Sequence, residues 1–211
     1  NTHLQPIGLC DSEKIDLLTN LIEILGRKKD YLAKLITAET GLCLKHSLYE
    51  VDRAINCGRE GIKEIRLKRH RLSADKFIEA GSKMAMEIHY APCDLAIAIT
   101  PYNHPLNMVM HKVIPAIVAG TPMIVKPSEK APSCAFELRE ILIDKGLNHN
   151  FLRILCSNEP QDLVKRLVSS DLVDVVCFTG SVKVGKIIGS LISNSNRLKK
   201  YIPELGGNSP V

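Results

Sequence analysis

Two tetrapeptides, Pro101-Tyr102-Asn103-His104 and Lys126-Pro127-Ser128-Glu129, each follow a short apolar run. Both runs have the length and the Ile/Val content of a strand buried on both faces. Ligands of parallel sheets bind beyond the carboxyl ends of the strands, so the two tetrapeptides face one crevice. Lys126, at such an end, must reach solvent or meet an anion or a hydroxyl. Gly180 and Gly185 flank Ser181 between another apolar run, VDVVCF, and a helical pattern. The N–H groups that open such a helix suit a pyrophosphate. An ordinary tight turn reads the same from composition alone, because the pair is not the G-x-G-x-x-G fingerprint. Asn103, before a Pro-containing helix start, also reads as a turn residue. Glu204 precedes Leu205, Gly206 and Gly207 at the end of an extended piece. One carboxylate alone does not separate a general base from a strand-end acid.

The elements that must position these residues centre on 95–127. LAIAIT is a strand, PYNHPLNMVMHKVIPAIVAG a turn and a helix, and TPMIVKP a second strand. Leu106, Val109, Met110, Val113, Ile114, Ile117 and Val118 recur at helical spacing. Pro105 suits the first helical turn and Gly120 the stop. Short connections make this a βαβ unit with a right-handed crossover. The pattern then continues regularly: strand 121–126, helix 131–146, strand 151–156, helix 161–169, strand 173–178, helix 182–194 and an extended piece over 199–205. Five strands with four intervening helices predict a doubly wound α/β parallel sheet.

Upstream, a helix is expected over 11–38, capped by Asp11 or Ser12, with Ile15, Leu18, Ile22, Leu25, Leu32 and Leu35 inward and a Gly41 stop. A second helix runs from about Leu44 to Ile62, with Val51, Ile55 and Ile62 inward. Ile65 and Leu67 then alternate with Arg66 and Lys68, and Arg69, His70 and Arg71 follow. That pattern reads as an edge strand guarded by charge. A nucleic-acid patch is the sharper reading, but no aromatics interleave with the charges as single-strand binders need.

The 211 residues are 45% hydrophobic and 24% charged, which excludes a disordered chain. Aromatics are 4% with no Trp, so the core is built from Leu, Ile, Val and Ala. A net charge of +5 does not call for nucleic acid. No apolar run reaches bilayer length. NTHLQPIGLC has neither signal-peptide order nor an initiator Met, so Asn1 need not be the true start. The seven cysteines are odd in number, with no C-x-x-C pair. They read as small core residues in a reducing, cytoplasmic compartment. His104 and His111 lack the spacing and the carboxylate company of a metal site.

ITPYNHPL, VKPSEKAP, FTGSVKVG and ELGGNSP occur here in that order, each at a strand end. Together they resemble the aldehyde dehydrogenase superfamily, over nearly the whole chain and most weakly before Leu95. The resemblance implies a Rossmann-like cofactor domain with NAD bound, NADP being possible. It implies helices of that domain over 1–64, the start of a bridging and oligomerising element over 65–94 and the core over 95–211. Gly180, Ser181 and Gly185 then meet the dinucleotide phosphates, and Lys126 and Glu129 of the K-P-S-E match hold the adenosine ribose, with Ser128 beside them. Glu129 would accept from ribose hydroxyls and repel a 2′-phosphate, which favours NAD. Thr100, Pro101, Tyr102, Leu205 and Gly206 complete the implied cofactor contacts, and Gly206 and Gly207 let the backbone bend next to the nicotinamide. Asn103 matches the oxyanion donor and Glu204 the general base that activates water. His104 stands where many members have an aromatic, and Asp94 where the family usually has Gly.

The family's nucleophile is a Cys a few dozen residues after E-L-G-G. No Cys follows Glu204 here, so the catalytic domain is expected to be absent and this chain to be inactive alone. The implied whole is an oligomeric enzyme that oxidises a small aldehyde. PYNHPLN resembles a subset that includes phosphonoacetaldehyde and lactaldehyde dehydrogenases, which points to a small polar or anionic substrate. A non-catalytic dinucleotide-binding short form is the alternative.

Overall fold

Side chains that alternate between the two faces of single strands define the layers of this α/β fold. In the computed structural model, which describes residues 4, 6–67, 71–73 and 87–207, the elements run α1 (Asp11–Arg27), α2 (Lys29–Thr40), α3 (Leu44–Arg66), β1 (Arg71–Ser73), β2 (Glu87–His89), β3 (Ala96–Ile99), α4 (Pro105–Ala119), β4 (Met123–Lys126), α5 (Ser133–Asp144), β5 (Leu152–Ile154), α6 (Pro160–Ser169), β6 (Val175–Gly180), α7 (Val182–Ser193) and β7 (Lys200–Leu205). Five strands form one parallel sheet in the order β5-β4-β3-β6-β7. The order reverses at β3, so the crevice for a ligand opens between the carboxyl ends of β3 and β6.

Successive side chains of β3 enter different cores. Ala96 and Ala98 join the larger cluster, built with α1 to α5. Leu95, Ile97 and Ile99 join Val176, Phe178, Val168 and Ile188 on the side of α6 and α7. Small residues on one face let α4 approach the sheet, and branched residues fill the other. β1 and β2 make a separate antiparallel pair, Arg71 opposite His89.

The N-terminal region departs from expectation in three ways. The helix predicted over 11–38 is two helices, broken at Lys28 (φ −90, ψ 10). The apolar spacing holds across the break, since Leu18, Leu25 and Leu32 are all fully buried, so periodicity alone does not reveal it. The charges flanking the break favour two termini, with Arg27 in the last turn of α1 and Asp30 in the first turn of α2. The cap of α1 is neither Asp11 nor Ser12 but Cys10, whose N–H donates to the Glu13 carboxylate at 2.8 Å. Third, Ile65 is not in an edge strand: α3 runs through it to Arg66 and buries it. Gly58, Gly61 and Ile65 continue the inward stripe of α3, and a four-residue alternation is too short to outweigh that register. Arg69 and His70 of the basic segment lie outside the described residues.

α4 is held at both ends by charged side chains from the N-terminal helices. Lys14 of α1, itself buried, donates to the Val118 carbonyl at 3.0 Å. Glu50 of α3 accepts from the backbone N–H groups of Leu106 and Asn107 at 2.9 and 3.1 Å. A cation at the carboxyl end and an anion at the amino end both complement the helix dipole. On the opposite edge of the sheet, Asp174 accepts from the Asp94 N–H at 2.7 Å and pairs with Arg197, which also lies 3.5 Å from Asp94. This contact holds the turn into β3.

Candidate active site

Four turns meet at the carboxyl edge of the sheet. The turn after β3 carries Thr100, Pro101, Tyr102, Asn103 and His104. Thr100 is buried at the strand end, and among the described residues its hydroxyl has no partner. Asn103 is exposed and precedes the Pro105 that opens α4. His104 is the cap residue of α4, and its Nδ1 lies 3.3 Å from the Glu50 carboxylate.

The turn after β4 carries Lys126, Ser128 and Glu129. Register places Lys126 opposite Ile99. Its ammonium group is buried, paired with Glu129 and donating to the Pro127 carbonyl at 3.0 Å. The Ser128 hydroxyl accepts from the Lys130 N–H at 3.3 Å. Lys130 places its ammonium 4.9 Å from the centre of the Tyr102 ring, a cation–π contact that ties this turn to the previous one. Glu129 also lines an open cavity of about 420 Å³ with Pro132, Cys156, Ser157 and Asn158. Partial desolvation against the cavity wall and the nearby Glu129 push the Cys156 thiol up, although the residue as a whole is exposed.

The turn after β6 carries Gly180 and Ser181, and the Ser181 hydroxyl accepts from the Val184 N–H at 3.4 Å. Beside it, β7 brings Glu204 opposite Thr179 and Leu205 opposite Gly180. Glu204, Leu205 and Gly206 are exposed. Tyr201 donates to the Gly185 carbonyl at 2.9 Å, fixing α7 to β7. The structure thus gathers the thirteen predicted site residues on one edge, in two groups: the turns after β3 and β4 on one side of the crevice, and α7 with β7 on the other.

The helix starts differ in what already occupies them. Glu50 takes the first N–H groups of α4. Glu39 of α2 takes the Ser133 N–H that opens α5. α6 begins at Pro160 and carries Asp162 in its first turn. α7 has no acid in its first turn and has Lys183 there instead. Of these four, α7 is the start electrostatically suited to an anion.

Nothing in the local sequence marks Glu39 or Lys14 as site-shaping residues, because the groups they meet lie 94 and 104 residues away. One signal was present for Glu50. It falls on the inward stripe Ser47, Glu50, Val51, Ala54 of α3, and an acid there needs a buried partner.

The cysteines correct an expectation. Only Cys134 is buried, Cys57 and Cys177 are half-buried, and Cys10, Cys43, Cys93 and Cys156 are exposed. The exposed four lie outside the regular elements: Cys10 and Cys43 cap helices, Cys93 precedes β3, and Cys156 follows the end of β5. Among the described residues no His, Cys, Asp or Glu cluster could hold a metal ion, and no helix is long and apolar enough to cross a membrane.

The sequence pattern of the aldehyde dehydrogenase family matches residues 9–211. The chain belongs to that family. It is 31% identical over 209 residues to a lactaldehyde dehydrogenase of Methanococcus vannielii, covering 95% of this chain and 42% of that protein. It is 30% identical to a 3-sulfolactaldehyde dehydrogenase of Priestia aryabhattai, covering 93% of this chain and 40% of the relative. The fold superposes with a TM-score of 0.84 on glyceraldehyde-3-phosphate dehydrogenase GapN from Methanocaldococcus jannaschii, solved with NADP, at 27% identity over 95% of this chain and 42% of that one. The chain therefore spans about two fifths of the length of these relatives.

Proposed function

We propose that this chain is the cofactor-binding part of an NAD(P)-dependent aldehyde dehydrogenase that oxidises a small polar aldehyde to a carboxylate, its nucleophilic Cys lying outside residues 1–211. The observation that carries the reading is the acid-free start of α7 at the reversal of strand order, with Asn103 and Glu204 on the flanking turns.

The residues present fit a dinucleotide. Val182 and Lys183 offer backbone N–H groups and Ser181 a hydroxyl, while Gly180 and Gly185, packed against Phe178 and Leu205 with no room for a Cβ, hold the turn and the helix start close to the sheet. Glu129, which lines the cavity, and Lys126 and Ser128 of the same turn suit ribose hydroxyls. The Glu129 carboxylate repels a 2′-phosphate, which makes NAD the preferred cofactor and NADP the weaker one. Thr100, Pro101 and Tyr102 wall the crevice, and Leu205 and Gly206 border it opposite. When bound, the cofactor accepts hydride from the substrate carbon.

Asn103 donates its side-chain N–H to the oxyanion that forms when a thiolate adds to the aldehyde carbon. Glu204 then takes a proton from the water that hydrolyses the thioester. Substrate preference for a small polar aldehyde is supported by the lactaldehyde and sulfolactaldehyde relatives.

Calorimetric titration of the chain with NAD and NADP tests the reading. NAD binding with weaker NADP binding is expected. Preference for NADP would remove the role given to Glu129, and no binding of either by folded protein would remove the cofactor reading.

A further inference from the structure

The Glu50 side chain is fully buried. Removing a carboxylate from water is costly unless hydrogen bonds and local charge compensate. Here both oxygens are engaged. Oε1 accepts from the N–H groups of Leu106 and Asn107, and Oε2 faces His104 Nδ1 at 3.3 Å. All three partners fall within the four residues after Asn103, and the carboxylate comes from α3, outside the βαβ unit that contains them.

Asn103 itself is exposed and sits in a turn between β3 and the cap of α4. An oxyanion donor works by being held where charge develops, before it develops. The turn therefore needs an anchor, and Glu50 grips it at His104 and at the first turn of α4. We infer that Glu50 is a positioning residue for Asn103, acting through the turn and touching neither substrate nor cofactor. This rests on the oxyanion role proposed for Asn103.

The rival is a helix cap that supports folding alone. The two differ in coupling. If Glu50 acts through Asn103, its removal matters little once the Asn103 amide is gone. The test uses the full-length protein and single-turnover acylation with saturating NAD, for Glu50→Ala, Asn103→Ala and the double variant. Glu50→Ala is expected to slow acylation roughly tenfold or more, leave the NAD dissociation constant within about twofold, and add less than about twofold to the Asn103→Ala loss. Glu50→Gln, whose amide oxygen still accepts both backbone N–H groups, is expected to recover most of the rate. Should Glu50→Ala fail to fold, Glu50→Asp keeps the charge but shortens the reach, and the same non-additive loss is expected. Losses that multiply in the double variant, or an unchanged rate beside a lowered melting temperature, would overturn the inference. A normal rate in Asn103→Ala would instead overturn the oxyanion reading, and this inference with it.

Discussion

Gly185 of α7 and Leu205 of β7 touch with no room for a methyl group: a Cβ on Gly185 would lie 2.6 Å from Leu205 Cδ2. The helix whose start suits a phosphate thus rests directly on the strand that carries Glu204. Gly185→Ala must move Leu205, α7 or both. The expected result is a cofactor dissociation constant raised roughly tenfold, about 1.4 kcal/mol, with Gly189→Ala, one turn along the same helix where a Cβ would make ordinary contact with Tyr201 at 3.6 Å, far milder. Isothermal titration of both variants checks this, and equal affinities would separate the α7–β7 contact from binding.

In the full-length protein, Asn103→Ala is expected to reduce the acylation rate by about 2.7–4 kcal/mol and to leave cofactor affinity unchanged. Rapid-quench single-turnover measurement reads the first quantity and titration the second. An unaltered rate would leave Asn103 as a turn residue.

Thiol reactivity maps the crevice. At pH 8 the exposed Cys10, Cys43 and Cys93 should alkylate quickly. Cys57 should resist, because burial and the nearby Glu60 push its thiol up to about 11. Cys134, raised further by burial and by Glu39, should resist most. Cys156 lines the cavity with Glu129, so NAD should slow its alkylation without protecting Cys10. Peptide mass spectrometry after timed iodoacetamide exposure gives the order. Indifference of Cys156 to NAD would argue against the cavity as part of the cofactor site.

Stability should fall on mild acidification through His111. Partial desolvation of an otherwise exposed ring, then Arg53 and Lys112, hold its imidazole below the ordinary 6.5. Because the folded value is the depressed one, the unfolded chain takes up the proton first as pH falls. The stability is thus fully present above 6.5 and is lost progressively below it, toward the lower folded value. Urea melts between pH 7.5 and 5 should show His111→Gln losing less stability than the parent. Parallel curves would exclude His111 as the source.

Residues 1–211 alone should not oxidise aldehydes, because Cys177, on β6 beside the site, lies in the strand and is half-buried. Burial also pushes its thiol up, the wrong direction for a nucleophile. Absorbance of reduced nicotinamide with glycolaldehyde as substrate checks this. Turnover abolished by changing one of the seven cysteines would relocate the nucleophile to this chain.

The part of the fold legible in the sequence is the part set by local contacts. The bounds of the helix from Pro105 to Ala119 are legible because a Pro start and a Gly stop are chain-local signals, and Gly120 adopts φ 79. The turns after β3, β4, β6 and β7 were found because motif residues sit at strand ends. The break at Lys28 was not legible, since Leu25 and Leu32 keep the same inward register on both sides of it. Nor are the partners of Glu50: its place on the inward stripe of α3 marks it as buried, but the N–H groups it meets lie 56 and 57 residues away. No sequence window holds both halves of such a contact.

Lys14 meets its carbonyl across 104 residues, and Glu39 meets Ser133 across 94. The three amino-terminal helices therefore leave the ribosome long before the groups they grip exist. Contacts of such separation must close a long loop before they are rewarded, which slows the search for the native state even though the closure cost itself grows only slowly with length. They also deny the parallel sheet an independent life: cut before Leu95, α4 would keep its apolar face but lose the counter-charges at both ends. In hydrogen exchange, α1 to α4 and β3 should accordingly open together as one cooperative unit rather than as separable modules.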